Sequence, residues 1–204
     1  MNHHLETSPL PERFEHLLQL LSSQRFLKCE GLNNEVPFFI CPYAASESVE
    51  VTAMQRHLIS QLRQHGVEPL HIDLYDMAHG ILVREGDWDW IAKNETTVPK
   101  DKLLEDLQGI LDAEHRLIPE ISARMSAVER FDILIITGIG EVFPYIRSHT
   151  VLNNLQKVAE KKPTLLFFPG QYQQSLEKGA SLELFGRLRD DRYYRAFNIF
   201  EREI

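Results

Sequence analysis

The sequence predicts an α/β protein built on an open, mostly parallel sheet of about five strands with helices on both faces. Two observations carry this. Val36 to Cys41 (VPFFIC), Phe131 to Thr137 (FDILIIT) and Thr164 to Phe168 (TLLFF) are nearly unbroken apolar runs, too short for helices. Strands covered on both sides in a parallel sheet read this way. Between them, apolar residues return every three or four positions over longer windows, the period of amphipathic helices.

The elements follow in order. A first helix is predicted over Pro11–Leu27, with Pro11 in its first turn and Phe14, Leu17, Leu18 and Leu21 on one face. After the 36–41 strand, Val51, Met54, Leu58 and Leu62 mark a helix that stops at Gly66. Leu70, Ile72 and Leu74 alternate as a second strand, completing a βαβ unit. The segment from Asp76 to Asn94, with Trp88 and Trp90, reads as helix and loop. Lys100 to Ala127 is helical, with a break or bend expected at Pro119. The strands at 131–137 and 164–168 are joined by a helix over about Thr150 to Lys161, and Arg195 to Phe200 forms a last strand.

At 204 residues the chain is expected to fold as one α/β domain, with residues 1–30 as an N-terminal packing helix and 36–204 as sheet and helices. No apolar run approaches the roughly 18 to 20 residues of a membrane span. Met1 to Pro11 lacks a basic start followed by an apolar stretch, and Cys29 and Cys41 are too few for a disulfide framework, so a cytoplasmic setting is expected. A net charge of -8 and a pI near 5.6 argue against a sequence-independent grip on nucleic acid by the chain alone.

In a parallel sheet, ligands bind at the carboxyl ends of strands. Cys41-Pro42-Tyr43-Ala44-Ala45-Ser46-Glu47-Ser48 has the length of the phosphate loop G-x-x-x-x-G-K-[ST], giving a P-loop-NTPase-like layout in which the loop itself is degenerate. Only Ser48 matches. Cys41 and Ser46 replace glycines, and Glu47 stands where lysine would hold phosphate. A Cys-x5-Arg phosphatase reading of the same turn fails on the same residue, and Cys41 is better read as a small hydrophobe. Gly138-Ile139-Gly140 begins a dinucleotide fingerprint that Phe143 interrupts, so a tight turn is the better reading. Asp132 lies at the wrong end of its strand for a metal-holding role.

His71, Asp73, Asp76 and His79 combine imidazole and carboxylate, as a divalent metal site would, but they straddle a strand-to-loop junction where turn and capping roles are commoner. Arg187, Arg189, Arg192 and Arg195 lie among Phe185, Tyr193, Tyr194 and Phe197. That composition suits protein interfaces as well as nucleic acid, and Asp190 and Asp191 interrupt the basic run.

Three segments then carry a resemblance: Gly138-x-Gly140 through Val142-Phe143-Pro144-Tyr145-Ile146-Arg147; Phe168-Pro169-Gly170-x-Tyr172; and Leu184-Phe185-Gly186 with Tyr193-Tyr194-Arg195-Ala196-Phe197. Together they resemble the BrxB family of bacteriophage-exclusion (BREX) defence systems. The resemblance implies a small non-catalytic component of a system that methylates host DNA and blocks phage. It would bind other members: PglZ, the phosphatase-like component, first, and possibly the methyltransferase PglX or the large ATPase. It brings no catalytic residue, cofactor or metal. Its motif positions read as structural or interface residues: Pro144 can start the next helix, Pro169-Gly170 ends a strand in a turn, and Glu141, Tyr145, Arg147, Tyr172, Arg187, Tyr193, Tyr194 and Arg195 are interface candidates. Two further readings stay open, a metal-dependent phosphoesterase or nuclease using Asp73, Asp76 and His79, and a nucleotide-binding switch without hydrolysis.

Overall fold

Alternation along the strands sorts apolar side chains to opposite sides of one sheet. In a computed structural model that describes residues 5–30, 36–155, 157–159, 162–175, 179–190 and 196–203, Phe39, Cys41, Ile133, Ile135, Leu165 and Phe167 join one core cluster, and Phe38, Ile40, Leu134, Ile136, Leu166 and Phe168 join another. Successive strand residues point to opposite faces, so each of these three strands feeds both clusters. Truncating one of these fully buried side chains, Ile135 for example, costs about 2–5 kcal/mol.

The strands are β1 (Phe38–Tyr43), β2 (Pro69–Asp73), β3 (Ile133–Thr137), β4 (Thr164–Ser175) and β7 (Phe197–Asn198), in spatial order β2-β3-β4-β1-β7 and parallel at every pairing. An antiparallel ribbon, β5 (Gly179–Leu184) and β6 (Leu188–Asp190), continues from β4. On one face lie α1 (Leu10–Ser22), α2 (Gln24–Leu27) and α3 (Ser48–Gln64). On the other lie α4 (Leu74–Glu85), α5 (Asp87–Asn94), α6 (Lys100–Ile110), α7 (Ile118–Ala127) and α8 (Ser148–Leu155). The expected fold class holds.

Several boundaries differ from expectation for identifiable reasons. The first helix is interrupted at Ser23, whose extended backbone ends α1 while its hydroxyl accepts from Phe26 N at 3.2 Å to start α2. Asp76 to Asn94 is fully helical apart from Gly86, which at φ 85 ends α4 and opens α5. The long helical stretch breaks near Asp112 rather than at Pro119. Asp112 is extended, its carboxylate caps His115 N at 2.8 Å, and a π-helical turn, Ala113–Leu117, leads into α7. Pro119 sits in the first turn of α7, where its missing N–H has no partner to lose.

The next helix begins at Ser148 and not at Pro144, which follows a cis peptide in the turns after β3. Pro169-Gly170 does not end its strand. β4 runs on to Ser175, and Pro169 is its last residue in register with β1. A residue without an N–H suits the end of one ladder, and its carbonyl opens the next by accepting from Phe185 N at 2.8 Å. A Cβ at Gly170 would lie 2.1 Å from Glu183 O, so glycine permits the close approach of β5.

Candidate functional site at the carboxyl edge of the sheet

Because the five main strands run the same way, Tyr43, Asp73, Thr137 and Pro169 meet at one edge of the sheet. The Cys41–Ser48 turn, compared above with a phosphate loop, lies there, and its residues are engaged with one another. Cys41 belongs to β1, is buried, and has its thiol pKa pushed far up, chiefly by burial. A thiol held protonated is no nucleophile. Ala45–Glu47 forms a single 3-10 turn, and Ser48 Oγ donates to Ala45 O at 2.6 Å.

Glu47 turns its carboxylate back into the loop. Oε2 accepts from Ala44 N at 3.3 Å, and Oε1 accepts from Arg13 Nη2 at 2.5 Å. Arg13 reaches the loop from α1, with its side chain only 4% exposed. The loop therefore pairs a backbone N–H and a buried guanidinium with its own side-chain anion. Sequence reasoning found the misfit of Glu47 but did not single out Arg13. A cleft of about 430 Å³ opens beside the pair, with Glu6, Tyr43 and Phe185 also in its wall. Burial and the field of Glu141 push the Tyr43 phenol up to about 12.

At the ends of β2 and β3 a second polar chain is closed. Thr137 Oγ1 donates to Asp73 Oδ2 at 2.7 Å and receives His71 Nε2 at 2.9 Å, so the proton lies on Nε2 of that ring. Asp73 Oδ1 caps α4 by accepting from Tyr75 N and Asp76 N at 2.9 and 3.0 Å. Gly138 follows at φ 79, and a Cβ there would approach Asp73 Oδ1 to 2.9 Å, so the glycine makes the tight turn that its position predicted. Burial lowers the His71 pKa, opposed by Asp73 and Asp76. Both oxygens of Asp73 are committed to the fold, and His79 packs edge-on against Trp88 at 4.5 Å. Among the described residues no three His, Cys, Asp or Glu side chains are grouped to hold a metal.

The interface candidates separate. Glu141, Tyr145 and Arg147 are exposed on the segment after β3, and Arg187 is exposed beside the β5–β6 turn. Tyr172 is buried, and its hydroxyl donates to Ala196 O at 2.6 Å, so it holds the chain together and is not an accessible contact. Tyr193, Tyr194 and Arg195 lie outside the described residues. Glu141 and Tyr145 line an apolar groove of about 340 Å³ together with exposed Trp88 and the buried Ile91 and Leu107. Trp88 was not picked out as a site residue. Its signal is the helix DWDWIAKN, which buries only Ile91 and leaves both tryptophans outward.

A sequence profile described as "BREX protein BrxB" matches residues 70–199, more than half of the chain. The chain belongs to the BrxB family. Its similarity to BrxB relatives extends beyond the profile into the N-terminal region. A "BREX protein BrxB" of Bacillus cereus (strain H3081.97) is 34% identical over 197 residues, covering 94% of this chain and 97% of that protein. One of Escherichia coli O9:H4 (strain HS) is 27% identical over 191 residues, covering 93% and 91%. No solved structure matches the chain. Family membership makes this a BREX protein. No helix among the described residues is long and apolar enough to cross a membrane.

Proposed function

We propose that the chain is a non-catalytic assembly component of a cytoplasmic BREX system, binding another BREX protein to support host DNA methylation and phage restriction. PglZ is the first-choice partner, ahead of PglX and the large ATPase. The observation that carries the non-catalytic reading is the Glu47 carboxylate, which takes the loop N–H and the buried Arg13 that an anionic substrate would otherwise need. On this reading the β1–α3 turn is a phosphate loop closed by its own side chain, and nucleotide is not its ligand. The engaged oxygens of Asp73 support the same reading against a metal-dependent phosphoesterase.

The test is co-expression of the tagged chain with the other proteins of its BREX locus. Stoichiometric recovery of PglZ or another component is expected, together with no change in melting temperature at millimolar ATP or GTP, where even weak binding to the native state registers. Recovery of the chain alone, or a melting shift of several degrees with nucleotide, would replace assembly with a ligand-binding role.

A further inference from the structure

The groove between α4, α5, α6 and the segment after β3 shows what kind of partner surface it fits. Its floor is apolar, with Leu82, Ile91 and Leu107 each nearly buried. Its lips are Trp88 and Tyr145, each 37% exposed, large aromatics that the fold itself leaves half covered. Aromatic residues around a dry pocket are the usual energetic centre of a protein interface. The charged residues along the groove are Glu95 and Glu141, and among the described residues neither lysine nor arginine lines it. The Glu141 carboxyl is held above its ordinary pKa by desolvation and by the nearby Asp73 and Asp76, so a cation brought to it would relieve repulsion already present.

We propose that this groove receives one amphipathic helix of a protein partner, apolar residues spaced i, i+3 or i+4, and i+7 entering between Trp88 and Tyr145, with Lys or Arg meeting Glu141 and Glu95. The inference rests on the assembly role argued above and specifies its surface. A helix suits the groove because the walls are largely helices whose backbone groups are already paired, so the occupant must satisfy its own backbone. A small ligand is disfavoured, since the polar groups sit at the rim and do not converge on the floor. A second copy of this chain is a poorer match, because its net charge of -8 would meet the acidic rim.

The experiment uses the full chain co-expressed with the other proteins of its BREX locus. The protein captured is divided into overlapping peptides of about 20 residues, long enough for a helix of several turns, which are tested for binding by fluorescence anisotropy. Two surface variants probe the groove. Ala92→Trp fills it from an exposed helical position, and Glu141→Lys reverses its rim charge. Both are checked for a single cooperative melting transition no lower than that of the parent chain.

The expected result is one peptide with the stated apolar spacing and flanking basic residues. Ala92→Trp should abolish its binding, and Glu141→Lys should weaken it about tenfold. Replacing the facing basic residue of the peptide by Glu should recover most of that loss in the Glu141→Lys chain. Capture undiminished by both variants would overturn the groove proposal and leave the assembly role standing. So would a bound peptide without basic residues, or self-association that Ala92→Trp disrupts. Failure to capture any BREX protein would overturn both.

Discussion

Removing the Glu47 carboxylate leaves the Arg13 guanidinium, whose side chain is 4% exposed, without its ion-pair partner among the described residues. Arg13 Nε is already buried without a hydrogen bond among the described residues, so the guanidinium enters the variant with one unsatisfied group. Breaking a fully buried pair from one side costs about 3–5 kcal/mol. Glu47 is 34% exposed, however, and water can enter the space left by truncation, which brings the figure toward the ~1.5–3 kcal/mol of a charged hydrogen bond. Glu47→Ala should therefore cost about 2–3 kcal/mol. With a urea m-value near 2–3 kcal/mol/M, the unfolding midpoint falls by about 1 M at unchanged m. Glu47→Gln, which keeps an acceptor for Ala44 N, should lose roughly half as much. Phosphate at tens of millimolar should restore part of the loss in Glu47→Ala and leave the parent chain unchanged. A midpoint shift below about 0.2 M, or equal stabilisation of both chains by phosphate, would refute the account of a loop filled by its own anion.

Cys41 should resist iodoacetamide in the native protein, while half-buried Cys29 reacts slowly; mass spectrometry of the labelled peptides distinguishes them, and fast native labelling of Cys41 would contradict its burial. Tyr172→Phe strands the buried Ala196 carbonyl and should cost about 1–3 kcal/mol by urea unfolding without weakening partner capture. Glu141 titrates higher in the folded protein than in the unfolded chain, so its contribution to stability is greatest at acid pH and declines as pH rises through the folded value. Glu141→Gln should accordingly raise the melting temperature near pH 7 and give no gain near pH 3.5. The His71 imidazole, whose pKa is lowered chiefly by burial, should show an NMR titration midpoint below 6.5; a midpoint above it would mean that Asp73 and Asp76 dominate instead.

The core of the sheet was legible because β1, β3 and the first half of β4 are short apolar runs, a pattern set by burial on both faces. The second half of β4 was not legible: exposed Gln171 and Gln173 flank buried Tyr172, and the preceding Pro169-Gly170 carries the same letters as a turn. Their real role, the end of one ladder and a close approach in the next, depends on Glu183, which a local reading does not see. The misfit of Glu47 was readable from spacing alone. Its partner Arg13 lies 34 positions away, so the pairing that explains the misfit needed the packing of α1. Tyr172 was an interface candidate through its place in a family motif, whereas exposure is decided by the chain that returns at Ala196.

The placement of β4 also sets the order in which the chain can fold. β1 and β3 do not pair with each other, and each pairs with β4, which begins at Thr164. As the polypeptide leaves the ribosome, β2 and β3 can join, but Phe38 to Tyr43 must wait through more than a hundred residues, because its other neighbour, β7, is later still. Unpaired apolar strands invite mispairing and aggregation until their partner arrives. A chain stopped after Leu155 is thus expected not to be a smaller version of this protein but a nascent one, with its first strand still unplaced.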